Sequence, residues 1–275
     1  MQDSQFWYFC QMETKTMKVH LISVGGTATH SRAGDPELLT AKNMDLGVAS
    51  VPDYINDRTA DKLRIVVCGR HRATTIAAMV MHALKHNNIP FEYFIGSSTD
   101  GYETMAGPGS DTLTAANQGD GYLTSLTDCG PKFHAYNPHI AVIEGITLDH
   151  TNTYPASEDY CEQFSGFAST IMPGGSLLYY VNDPQAAAVA AKSRDDIRKV
   201  PYDIHGYMVN KTGCYAVTIN RMVKVGFSRD DNMHDLSAAR EACLAAGLTE
   251  DQFYAAIGSG FSIPECNPSS KNLSI

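Results

Sequence analysis

Short apolar runs alternate with amphipathic stretches along this chain, and that alternation predicts most of its elements. Lys18 to Val24 (KVHLISV) is β-rich and runs into Gly25 and Gly26. Leu63 to Cys68 (LRIVVC), Phe91 to Ile95, His139 to Ile146 (HIAVIEGI) and Ser176 to Val181 read as strands, with shorter ones around Lys199-Val200 and Tyr215 to Ile219. Several of these runs are continuously apolar, the pattern of strands covered on both faces. Between them lie helical patterns. Asp35-Pro36-Glu37 opens a helix to about Met44, and Ile76, Met79, Val80, Ala83 and Leu84 fall at helical spacing in a helix from Ile76 to His86. Ser157-Glu158-Asp159 opens a helix to about Thr170 that puts Tyr160, Phe164 and Phe167 on one side. Ser237 to Ala246 is an alanine-rich helix stopped by Gly247, and Thr249 to Gln252 is a capping box for a last helix to Ile257. Gly107 to Asp120 is polar and glycine-rich and reads as a loop, and the tail after Gly258 reads as loose. The predicted class is α/β, with a mostly parallel sheet flanked by helices.

Composition narrows the function classes. The 275 residues carry 30 acidic against 21 basic side chains, a formal net charge of -9. That balance argues against a broad nucleic-acid or anionic-membrane surface, while a local basic pocket for a phosphate stays open. The seven cysteines, Cys10, Cys68, Cys129, Cys161, Cys214, Cys243 and Cys266, are odd in number and never form a Cys-x-x-Cys pair. They fit reduced thiols in a cytoplasmic protein better than a disulfide framework or a zinc site. No apolar run approaches the roughly 20 residues of a membrane helix. The first dozen residues hold Phe6, Trp7, Tyr8 and Phe9 without the features of a signal peptide, and Met12 and Met17 are alternative starts.

The strongest chemical candidate is LRIVVCGRHRATT, residues 63–75. A strand that runs through a short loop into a helix opening on Thr74 and Thr75 has the geometry of a phosphate-binding loop, because a helix N-terminus offers unpaired N–H groups and a partial positive charge. An ATP loop also needs glycines that let the backbone wrap the phosphates and a lysine just before the Ser/Thr. Arg72 stands at the expected glycine and Ala73 at the expected lysine. On its letters alone the segment also reads as an ordinary strand–loop–helix turn.

The order of several further motifs gives the segment a family. RIVVCGRHRATTIAAMVMHAL, QGDGYLTS (118–125), PKFH (131–134), HIAVIEGITLDH (139–150), EDYCEQF (158–164) and NMHDLSAAREACLAAGLTEDQFYAAI (232–257) follow one another as in the Mur ligases. The resemblance spans about residues 62–258 and is closest to the muramate ligase branch, including the murein peptide ligase. It implies a P-loop-like Mur ligase central domain at 62–258 behind a reduced Rossmann-like remnant of the UDP-binding domain at 18–61. Residues 1–17 are then an untidy extension and 259–275 a tail, with no counterpart of the family's C-terminal domain.

The resemblance also implies a chemistry. ATP phosphorylates a carboxylate, an amine attacks the acyl phosphate and an amide forms, with magnesium and the loop lysine neutralising the moving phosphoryl group. By position, Gly69, Arg70, His71, Arg72, Thr74 and Thr75 form the nucleotide loop and Asn232 stands near the adenine. Thr74 and Asp120 lie at the metal, and Asp149 and His150 are the catalytic pair beside it. ATP and Mg are the implied cofactors, and a nucleotide or a UDP-muramate or muropeptide-like molecule the implied ligand.

The departures bear on activity. The lysine is Ala73, the second loop glycine is Arg72, the family's Gly-Asp-Glu is Gly119-Asp120-Gly121 and its His-Asn is Asp231-Asn232. The expected function is therefore a shortened Mur ligase relative with impaired or lost ligase chemistry. Two alternatives stand beside it: a nucleotide- or muropeptide-binding regulatory protein, and a non-catalytic relic that self-associates through faces its missing domains once covered.

Other candidates have plainer readings. His82 and His86 are four apart on a predicted helix but lack a third ligand, so they read as surface histidines. Cys68 is either a thiol near a helix N-terminus or, more simply, a small buried apolar residue. Tyr179-Tyr180 and Phe164/Phe167 read as core.

Overall fold

A computed structural model describes residues 20–23, 40, 43–44, 47–69, 72–94, 114–119, 132–146 and 157–263. The chain forms β1 (His20–Ser23), β2 (Gly47–Ser50), α1 (Val51–Arg58), β3 (Leu63–Cys68), α2 (Ala73–His86), β4 (Phe91–Phe94) and β5 (Thr114–Gly119). A 3-10 helix (Lys132–Tyr136), β6 (Ile140–Ile143), α3 (Ser157–Ser169), β7 (Ser176–Tyr180), α4 (Pro184–Lys192) and β8 (Arg198–Tyr202) follow. The last elements are β9 (Tyr207–Asn210), β10 (Gly213–Val217), β11 (Met222–Val225), α5 (Asp230–Ala245) and α6 (Glu250–Gly258).

Six strands form one sheet in the order β4-β5-β3-β6-β7-β8, and every pairing in it is parallel. The α/β class expected from the apolar runs is therefore the observed one. Successive residues of β3 face opposite layers. Ile65 and Val67 join a core with α2, α5 and α6, whereas Val66 and Cys68 join a second core with Phe133, Phe164, Phe167 and Ile171. A strand so covered leaves no face to water, which is why Ile65 to Cys68 are all apolar and why Arg64 is buried with its guanidinium donating to the Thr59 and Asn137 carbonyls. Phe164 and Phe167 are core as expected, and Cys68 is fully buried, so its plainer reading holds.

Other readings change. The stretch from Gly107 to Asp120, read as loop, contains β5, which lies between β3 and β4. TAANQG has little β propensity, and ladders with Leu63–Cys68 on one side and Phe91–Phe94 on the other hold it extended. Helix α4 escaped notice although Asp183 caps it, accepting from Gln185 N and Ala186 N, with proline in its first turn. Helix α5 begins at Asp230, seven positions before the expected Ser237. The antiparallel sheet β11-β10-β9 was only partly foreseen, through Tyr215. The expected helix from Asp35 and the tail from Pro264 lie largely outside the described residues. Among the described residues, no helix is long and apolar enough to cross a membrane.

Candidate functional site

The C-terminal ends of β3 and β6 lie side by side at the sheet edge where ligands of parallel α/β folds collect. Glu144 N donates to the Cys68 carbonyl at 3.0 Å, extending the ladder one step beyond the strands. Gly69 follows with φ +152°, and a Cβ placed on it would stand 1.7 Å from Glu144 Cγ. Only a residue without a side chain fits here, because the Glu144 side chain lies directly against its α-carbon.

Helix α2 opens two residues after His71. Arg72 occupies its N-cap position but makes no side-chain cap, and its carbonyl accepts the first helical bond from Ile76 N at 2.9 Å. The Arg72 side chain crosses to the start of α5. Its Nε donates to Asp235 Oδ1 at 2.7 Å, its Nη2 donates to Asn232 Oδ1 at 3.0 Å and its Nη1 lies 3.0 Å from Asp231 Oδ2. All three guanidinium nitrogens are thus engaged by one turn of α5, a planar fork that lysine could not reproduce. Burial pulls the Arg72 guanidinium down, but the Asp235 bond and the charges of Asp235, Asp231 and Glu144 outweigh it and hold it above its ordinary value.

Asp235 is completely buried, and its Oδ1 also faces His234 Nδ1 at 3.2 Å while its Oδ2 has no hydrogen-bond partner. His234 Nε2 donates to the Glu144 carbonyl at 3.1 Å, and the ring stands edge-on to Tyr180 and Tyr202. The Tyr202 hydroxyl donates to the Ile143 carbonyl at 3.2 Å. Burial first, and then the negative charges of Glu144, Asp235, Tyr180 and Asp183, hold that phenol well above its usual value. On the far side of β6, Asp183 Oδ2 accepts from Ile146 N at 2.6 Å and fixes the chain as it leaves the strand. The mouth of the sheet is therefore built from Gly69, Arg72, Glu144, His234 and Asp235, and among the described residues it is acidic.

The structure brings Arg72 and Asn232 together from opposite ends of the domain. Thr74 and Thr75 lie half-buried in the first turn of α2, next to Ala73, which is buried and brings no charge. Arg70, His71, Asp120, Asp149 and His150 lie outside the described residues. Sequence reasoning passed over Glu144, Asp183, His234 and Asp235. A carboxylate closing an otherwise apolar strand, VIEG, was the available signal for Glu144. His82 is not a bare surface group: its Nε2 donates to the Ala256 carbonyl at 2.9 Å and its ring packs edge-on against Phe261.

No family-level sequence model matches the chain. UDP-N-acetylmuramate–L-alanine ligase of Mycolicibacterium vanbaalenii is 31% identical over 195 residues, 70% of this chain and 38% of that protein. The ligase of the same name from Streptomyces griseus subsp. griseus is 27% identical over 242 residues, 83% of this chain and 50% of that protein. The chain thus spans half or less of the length of these curated relatives. Among solved structures, UDP-N-acetylmuramate:L-alanyl-gamma-D-glutamyl-meso-diaminopimelate ligase from Neisseria meningitides superposes with a TM-score of 0.74 at 18% identity, over 90% of this chain and 81% of that one. UDP-N-acetylmuramate–alanine ligase from Thermotoga maritima gives a TM-score of 0.63 at 16% identity, over 83% of this chain and 52% of that one. At these identities the structural likeness speaks to the fold.

Proposed function

Since the chain is a relative of the Mur ligases, on the muramate ligase branch, we propose that it is a degenerate member whose amide-forming chemistry is impaired or lost. In this reading residues 18–61 derive from the UDP-binding domain and 62–258 from the central domain. The relatives' names point to the ligand class, a UDP-N-acetylmuramate or muropeptide-like molecule; ATP and Mg as ancestral cofactors and a cytoplasmic setting follow from the motif resemblance alone and belong to the same proposal.

The observation that carries the reading is the start of α2. Ala73, buried and uncharged, opens the helix where the loop lysine is expected, and the cation beside it, Arg72, is bound to α5. Thr74 and Thr75 fit a phosphate and magnesium role by their place in the first turn, and Asn232 fits contact with the base. A fixed cation missing from the phosphoryl-transfer site costs about 3 kcal/mol of transition-state stabilisation, as deletion of a single preorganised donor does.

The test is phosphate release from ATP with magnesium, UDP-N-acetylmuramate and an L-alanine or peptide amine, run beside an intact muramate ligase. Release at least a hundredfold slower than the intact enzyme is expected from that loss. Turnover of comparable rate that disappears in Thr74→Ala would overturn the reading and restore a working ligase.

A specific surface favours self-association as a second reading. Met208, Val217 and Met222 are exposed on one face of the antiparallel sheet, with Ile219 exposed in the turn beside them.

A further inference from the structure

We propose that Arg72 is a tethered occupant of the nucleotide mouth, a latch between the loop and α5 that excludes nucleoside triphosphate from the resting chain. This rests on the reading of residues 69–75 as a nucleotide-facing loop. A strand leading through a glycine into the N-terminus of a long helix, at the C-terminal edge of a parallel sheet, is a ready-made anion site. Two features of this chain fill it from within.

The first is the guanidinium itself. Nε, Nη1 and Nη2 are each committed to α5, on Asp235, Asp231 and Asn232. The cation nearest the helix N-terminus is therefore neutralised within the fold rather than presented to a phosphate. The same fork takes up the Asn232 amide oxygen, so the side chain assigned to the base and the side chain replacing the loop glycine are bonded to each other. The second feature is Glu144, whose side chain lies against Gly69 at van der Waals overlap with any added Cβ. A carboxylate thus sits on the backbone that a phosphate would approach. Among the described residues around this mouth, the carboxylates Glu144, Asp231 and Asp235 face the Arg72 guanidinium.

Opening the latch strips a buried carboxylate of its cation. Among the described residues, Asp235 is fully buried, its Oδ2 has no hydrogen-bond partner and its Oδ1 otherwise faces only the His234 ring, so a swing of Arg72 toward a phosphate takes the guanidinium from a buried carboxylate. The position that costs the loop its glycine is, on this account, the position that shuts the site.

The experiment is calorimetric titration of the full chain with Mg·ATP in wild type, Arg72→Gly and the pair R72G/A73K. The latch predicts binding by R72G about thirtyfold tighter than wild type, the scale of an ion pair whose guanidinium reaches solvent, and tighter still once A73K adds the loop cation. The pair R72G/D235N removes both charges together and keeps the comparison available if R72G alone is too unstable to titrate. Wild-type binding as tight as or tighter than both Arg72→Gly variants would overturn the latch while leaving the nucleotide site standing. Folded variants that all fail to bind Mg·ATP would overturn both the latch and the nucleotide reading beneath it.

Discussion

At the scale of single residues the mouth of the sheet is held by close contact and compensated charge. Gly69→Ala drives a methyl into the Glu144 side chain from a backbone at φ +152°. Strain and overlap together should cost about 3 kcal/mol, read as a fall in the urea midpoint at constant slope. Asp235→Ala removes the carboxylate that holds both Arg72 and His234. A loss of about 2 kcal/mol is expected, below the range for wholly buried pairs because Arg72 reaches solvent. Wild-type stability in this variant would show that the ion pair contributes nothing net. Arg72 and Asn232 were both legible as site residues, yet their contact was not, since 160 positions separate them. Glu144 left one trace, a carboxylate closing an apolar strand, and Asp235 none, because a carboxylate inside a helix acquires its role only from the side chains that fold over it.

At the scale of elements, legibility follows the pattern of apolar residues. Strand β3 was read to the residue because six apolar or stem-burying positions run unbroken, and α2 and α3 were read from their spacing. Strand β5 was not, because its extended backbone comes from its two neighbours. Ala116 pairs with Ile65 on one side and Tyr93 on the other, so Ala116→Pro removes a ladder donor from an interior strand. Loss of about 3 kcal/mol or more, or failure to fold, is expected by circular dichroism, and a native-like melt would contradict the central placement of β5. The join between β9 and α6 carries a pH dependence. His205 Nδ1 donates to the Gly206 carbonyl at 2.7 Å, and Nε2 accepts from the Tyr254 hydroxyl at 2.5 Å. Burial, with the charge of Arg240 adding to it, holds this imidazole below 6.5, against a smaller opposing effect of the Gly206 bond and Glu250. Its folded-state value lies below the unfolded one. The stabilisation is therefore complete above about pH 6.5 and is lost as pH falls through the folded value, because the unfolded chain takes up the proton first. Chemical denaturation between pH 7 and 5 should show stability falling in wild type and a flatter fall in His205→Gln. His139, also held low by burial and then by Arg64, adds the same sign in both proteins, so the difference between them isolates His205.

At the scale of the whole molecule, the fold and the chemistry are separable. Two cores lie on opposite faces of one parallel sheet, and the residues of the mouth sit at its edge. The architecture therefore does not depend on which side chains stand at positions 72 and 73, so the fold and the chemistry of the loop can change independently. The same partition shapes the outer surface. On the antiparallel sheet, Cys214, Ala216, Val223 and Val225 face the core. Val217 pairs with Met222 on the other face, where Met208 is also exposed. Ile219, in the turn between these strands, is 94% exposed. Apolar side chains gathered this way leave water most favourably by meeting another surface like themselves. Light scattering across a concentration series should therefore give a mass rising above the 29.9 kDa of one chain, and Met222→Lys should return it toward that value. A lysine there leaves the core face untouched, so a change in mass without a change in melting temperature would assign association to this face. A mass of one chain at every concentration would show that the face stays in water, and the self-association reading would fall with it.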